Sequence, residues 1–205
     1  GWGGAAAGYT APTDGYLRMT GLGFFYTGTT IFSGNTPQRM AADANDLWVC
    51  SDFGPDAPSR IDIATMQVVA QITGAFGNNN GAGVVALLGG YVYMGDNNFP
   101  LVYKIDPATN SVIRRINTGD ATGGNNYAYV HGLFSDGANL WVTTSVGSQF
   151  GSNIMLEKIV SDRSIASIHD IEADVSGNYQ PMVKISAALY IRMNYSLHKF
   201  NTNLG

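Results

Sequence analysis

Apolar residues in this chain come in short bursts separated by polar, Gly-rich text. Between residues 83 and 116 four bursts follow one another: GVVALLG (83–89), YVYMGD (91–96), LVYKID (101–106) and SVIRRI (111–116). Most are four to seven residues long, rich in β-branched and aromatic side chains, and bounded by Gly, Asn, Asp or Pro. That pattern predicts short strands joined by tight turns. VYKI and VIRRI alternate in part between apolar and polar positions, as a strand with one covered face does.

The same text returns along the chain. SRIDIATMQVVAQITG (59–74) and YKIDPATNSVIRRINTG (103–119) are copies, and EKIVSDRSIASIHD (157–170) is a degenerate third. A second signature stands ahead of each: DLWVCSD from Asp46, YVYMGDN from Tyr91, NLWVTTS from Asn139 and, near the end, ALYIRMN from Ala188. Its aromatics, Trp48, Tyr93, Trp141 and Tyr190, are 45, 48 and 49 residues apart, a spacing that indicates a repeat architecture. Four short antiparallel strands per repeat make the blade of a β-propeller, so the expected fold is all-β with four-stranded blades.

Full blades are expected over about 37–73, 82–117 and 127–169, with partial blades at 15–34 and 180–205. Four to five blades fit either a small closed ring or a segment of a larger propeller, because a ring must close to remove its sheet edges. The first partial blade resembles the last, most plainly in Tyr16–Met19 against Tyr190–Met193. It supplies second, third and fourth strands, whereas the last supplies first, second and third. Residues 1–14 read as a flexible leader or an edge strand. DPATN (106–110) falls between third and fourth strands, where Pro107 suits a turn's second position and Asp106 can bond backbone amides. A calcium loop would need more oxygen ligands at closer spacing.

Composition narrows the function. Charged residues make up 13% of the chain, and its two Glu stand against 26 Gly and 17 Asn, which favours strands and turns over helices. The net charge is −4 and Arg114–Arg115 is the only adjacent basic pair, so no nucleic-acid groove is expected. No apolar run is long enough to insert in a membrane. The single cysteine, Cys50 in LWVCS, excludes a disulfide within the chain and reads as a small core residue.

The pattern carried by Pro37, Asp43, Leu47–Val49, Ile61–Thr65, Ile105–Thr109 and Thr118–Gly119 resembles the YVTN/NHL-type repeat of β-propeller proteins, over roughly residues 30–205. The resemblance implies the fold. It leaves function open among cell-surface proteins, secreted binding proteins, virion components and a few enzymes. Streptogramin lyases have a similar repeat with a recurring WFTE; the matching positions here read WVCS, YMGD, WVTT and YIRM, without the Glu. Low charge and Gly/Asn-rich connections point to an extracellular or virion-associated setting, as in bacteriophage structural propellers.

Candidate chemistry is thin. His131, His169 and His198 have no ligand spacing, and His131 reads as a channel-lining or hydrogen-bonded core residue. No cofactor is called for. The long connections (51–59, 74–83, 95–100, 119–128, 145–153 and 170–181) are expected on one face of the disc, opposite the short turns. They combine aromatics with Asn and Asp: Asp52, Phe53, Phe76, Asn79, Asp96, Asn97, Phe99, Asn125, Asn126, Tyr127, Phe150 and Tyr179. Rings that stack on sugars beside groups that read hydroxyls suit a glycan, and the same set suits a polar protein interface. The expectation is a non-catalytic adhesive or structural module whose partners are surface glycan or neighbouring proteins. The alternative is a lyase- or lactonase-like enzyme with a metal-assisted site in the central channel.

Overall fold

The computed structural model describes residues 18–20, 23–25, 37–51, 57–73, 81–97, 99–118, 130–146, 153–160, 163–172, 182–193 and 196–201. The chain divides into two compact units, Gly1–Ser33 and Gly34–Gly205. In the first, β1 (Arg18–Thr20) and β2 (Gly23–Phe25) pair antiparallel, with Met19 opposite Phe24. The other positions of the partial blade expected at 15–34 lie outside the described residues.

Among the described residues the second unit is all-β and holds four antiparallel sheets, each a meander in chain order. The first sheet holds β3 (Pro37–Ala42), β4 (Asp46–Ser51), β5 (Ser59–Asp62) and β6 (Gln67–Gln71). The second holds β7 (Ala82–Leu88), β8 (Tyr91–Asp96), β9 (Leu101–Asp106) and β10 (Ser111–Asn117). The third holds β11 (Val130–Ser135), β12 (Leu140–Val146), β13 (Asn153–Val160) and β14 (Arg163–Glu172). The fourth has three strands, β15 (Met182–Ile185), β16 (Ala188–Met193) and β17 (Ser196–Asn201). These sheets have the form of propeller blades. Among the described residues no strand of the first sheet pairs with one of the fourth, so no closed ring is formed by them.

The turns follow from their residues. Between third and fourth strands, Asp62 Oδ1 accepts from the Thr65 N–H and hydroxyl, both at 2.7 Å, and Asp106 Oδ1 accepts from the Ala108 N–H at 2.9 Å. Each turn leaves through a left-handed residue, Met66 (φ 56°) and Asn110 (φ 54°), a conformation Asn tolerates more readily than Met. DPATN is a turn. The third sheet does without it: Val160 pairs with Arg163, so two residues join its strands.

Between first and second strands, two designs alternate. In the first and third sheets an Asp folds a polar turn: Asp43 Oδ1 accepts from the N–H groups of Asn45 and Asp46, and Asp136 Oδ1 from those of Ala138 and Asn139. In the second and fourth sheets the strands are joined by two residues, Gly89–Gly90 and Ser186–Ala187. Gly89, Gly90 and Ser186 have positive φ, as the tight hairpin twist requires.

Successive sheets meet through their first strands: β7 packs on β3 and β4, β11 on β7 and β8, and β15 on β11. The core therefore lies between sheets. Trp48, Cys50 and Ile72 of the first sheet pack with Val85, Val92 and Met94 of the second. Ala86 and Tyr93 pack with Val130, Leu140 and Val142 of the third, and Trp141 with Leu189 and Ile191 of the fourth. Trp48, Tyr93 and Trp141 thus point forward, each to the next sheet in chain order. Cys50 is buried in this core, as its apolar context predicts.

Gly95 shows how closely the sheets approach. A Cβ there would lie 2.5 Å from Val130 Cγ1 and 2.6 Å from Val84 Cγ2, both on buried branched side chains. Gly95→Ala is expected to cost about 2 kcal/mol through overpacking. The reading is a lowered urea midpoint at unchanged m-value. A midpoint equal to that of the wild type would show that the two sheets can part without penalty.

Candidate functional site

Each repeat carries a basic residue just before its Ile-Asp or equivalent pair: Arg60, Lys104, Lys158 and Lys199. Strand register sets each one opposite its sheet's signature aromatic, pairing Trp48 with Arg60, Tyr93 with Lys104, Trp141 with Lys158 and Tyr190 with Lys199. The cations stand 5.4, 5.8, 5.5 and 5.9 Å from the ring centroids, within cation–π range. Arg60 does more. Its Nη1 donates to the Pro107 carbonyl at 2.7 Å and to Asn110 Oδ1 at 3.1 Å, while Nη2 donates to Asp46 Oδ2 at 2.7 Å. The DPATN turn of the second sheet is thereby tied to the first. The signal for these cations was present in the repeat, but a charge beside a turn reads as solvated until the register is known.

A second polar clamp joins the third and fourth sheets. Asp136, its side chain 1% exposed, accepts from Lys184 Nζ at 2.6 Å and from Trp141 Nε1 at 3.1 Å, besides its two backbone N–H groups. Burial alone would raise its pKa; Lys184, Trp141 and the backbone donors outweigh burial and hold the carboxyl well below the usual range. Asp43 in the first sheet is shifted the same way: burial opposes, and the Asn45 and Asp46 N–H groups, the Trp48 indole and Arg60 prevail.

Three of the expected loop-face residues fall among those described. Asp96 is fully buried, contrary to its expected place in an open binding surface. Its Oδ2 accepts from the Tyr103 hydroxyl at 2.8 Å and its Oδ1 from the Phe99 N–H at 3.1 Å. Burial, reinforced by the Asp96 charge, pushes the Tyr103 phenol up, so it stays protonated as the donor. Asn97 is half-buried, and its N–H donates to the Gly81 carbonyl at 3.2 Å. Phe99 is 38% exposed. Asp52, Phe53, Phe76, Asn79, Asn125, Asn126, Tyr127, Phe150 and Tyr179 lie outside the described residues.

The row of first strands holds His131. Val130 pairs with Thr144 and Gly132 with Thr143, so His131 is the extra residue of a β-bulge, a device that re-aims a side chain. The imidazole is buried, and burial pushes its pKa down to about 4. Among the described residues no three His, Cys, Asp or Glu side chains converge in a way that could hold a metal ion.

No protein-family model matches the chain, and no curated protein sequence matches it. Solved structures do. The extracellular domain of BT4673 from B. thetaiotaomicron superposes with a TM-score of 0.56 at 14% identity, covering 86% of this chain and 23% of that one. Hydrazine synthase of Kuenenia stuttgartiensis gives a TM-score of 0.48 at 13% identity, covering 86% of this chain and 53% of the other. The chain thus spans about a quarter to a half of the structures it is similar to. At such identity the likeness concerns the fold.

Proposed function

We propose that this chain is a β-propeller segment of the YVTN/NHL type, serving as a non-catalytic adhesive or structural module on an extracellular or virion surface. Its long-loop face binds glycan. The blade-like sheets, their serial packing and the fold likeness to an extracellular domain support the propeller and its setting. The observation that carries the binding face is the presentation of Phe99. Buried Asp96 grips the Phe99 N–H, and the Phe99 carbonyl accepts from the Leu101 N–H at 2.8 Å, so an apolar ring is fixed by its backbone while remaining partly exposed. A ring held ready in this way costs little ordering entropy when a sugar stacks on it.

A glycan array probed with the purified protein tests the reading. Specific glycan signals are expected, reduced at least tenfold by Phe99→Ala and again by Phe76→Ala and Tyr127→Ala. A blank array, or signals indifferent to all three changes, would sink it. A protein neighbour captured through the same three residues would replace glycan as the ligand.

A further inference from the structure

β10 is the outermost strand of the second sheet, and its outer edge pairs with no other strand among the described residues. Ser111, Ile113, Arg114, Arg115 and Asn117 are exposed along it. Val112 pairs with Ile105 and Arg114 with Lys104, so Ile113 is the extra residue of a bulge and stands 51% exposed. From Arg114 to Asn117 the register with β9 is regular, and such an edge offers unpaired backbone N–H and C=O groups to a further strand.

The first sheet supplies a control, because its repeat is a copy of the second. In β6 Val69 is likewise the extra residue of a bulge, 52% exposed. Bulges blunt an edge against chance pairing, and both outer strands have one. The two positions that follow differ: Ala70 and Gln71 in β6, Arg114 and Arg115 in β10. Blunting by itself therefore does not account for the arginines. They carry a cost: Arg114 stands opposite Lys104, where Arg60 of the first sheet faces Ala70, and like charges across a ladder destabilise it. Nor does the fold use them as it uses Arg60 and Lys184, which are ion-paired with Asp46 and Asp136. Arg115 stands 5.9 Å from the Tyr103 ring centroid, and neither arginine is paired with a carboxylate among the described residues. Beside them runs an open groove of about 570 Å³, lined by Thr73 of the first sheet and by Val112, Ile113, Arg114 and Arg115.

We propose that β10 is a docking edge for an extended acidic peptide of a partner protein, which adds to the second sheet as a fifth strand. Main-chain hydrogen bonds to the edge supply affinity, and the side chains choose the guest. Adjacent residues of a strand point to opposite faces, so the guest needs two successive acidic residues, one for each arginine. A carboxylate beside Arg114 also offsets its repulsion from Lys104. A β-branched residue next to the acidic pair meets Ile113. Two copies of β10 joined edge to edge are disfavoured, because the arginines would confront one another. The open backbone and the exposed Ile113 favour a peptide over a polyanion, which would use neither. The proposal does not depend on the loop face binding anything.

Fluorescence polarisation of a dye-labelled peptide, Thr-Val-Thr-Glu-Glu-Thr-Val-Thr, titrated with the purified chain tests it. Saturable binding is expected, weakened about fivefold in Arg114→Gln/Arg115→Gln with an unchanged far-UV spectrum. The same peptide with proline on either side of its acidic pair is expected not to bind, since proline cannot donate to a ladder. Nor is a peptide with lysine in place of glutamate. Saturation with the acidic peptide is expected to slow amide exchange over Arg114–Asn117. No binding of the acidic peptide overturns the proposal, as does equal binding by the proline or lysine peptide. Binding that is unchanged in the double variant overturns it too. Heparin that binds where the peptide does not would make the arginines a polyanion site and end the strand reading.

Discussion

Acidification from pH 6.5 to pH 4 is expected to remove about 3 kcal/mol of stability through one side chain, His131. The bulge in β11 places this imidazole in a buried setting, where the charged form is penalised and the pKa falls to about 4. In the unfolded chain it takes up a proton near 6.5. Between the two values the unfolded state binds the extra proton, so stability falls as pH falls. The contribution is complete above pH 6.5 and lost by the time pH reaches about 4. Urea titrations across this window read it directly, and His131→Gln is expected to remove most of the slope. A flat wild-type profile, or a slope that survives in the variant, contradicts the assignment. The depressed carboxylates of Asp43, Asp62 and Asp136 begin to act in the same direction below about pH 5, so the comparison with His131→Gln is read above that value.

Asp136→Ala is expected to cost about 3 kcal/mol at neutral pH. The carboxylate satisfies Trp141 Nε1, two backbone N–H groups and Lys184, and alanine offers none of them an acceptor. Lys184 keeps a route to water, its side chain being 28% exposed, so most of the loss comes from the indole and the backbone. Lys184→Met is accordingly expected to cost only about 1 kcal/mol. The sign with pH is that of a depressed acid: the contribution is full above about 3.9 and disappears as pH falls through the lower folded-state value. Denaturation of wild type and Asp136→Ala at neutral pH and at about pH 2 checks both points. Equal midpoints at neutral pH would show that the clamp contributes nothing, and a gap that fails to narrow in acid would remove charge as its cause.

The strands were legible because each is short, apolar and punctuated by residues with strong turn preferences. LVYKID and YVYMGD appear as strands over 101–106 and 91–96, with the DPATN turn between the third and fourth strands. Other features depend on what stands across the sheet. Asp96 follows a second strand and looks like any turn acid, but the Tyr103 hydroxyl that engages it comes from the neighbouring strand. Arg60 looks like a solvated charge, and only packing reveals that the turn it grips belongs to another sheet. His131 gives no local sign of a bulge, because a bulge is a mismatch between two strands and belongs to neither sequence alone.

The alternation of turns bears on the length of the repeating unit. Trp48 and Trp141 accompany the Asp-folded turns, whereas Tyr93 and Tyr190 accompany the two-residue ones. In the third sheet the two choices are chemically coupled, since the indole of Trp141 donates to the turn's Asp136, and a two-residue turn has no carboxylate to receive it. Positions of one kind recur 93 residues apart, and of the other 97. Two unlike blades, rather than one, are therefore the unit that recurs along the described sheets.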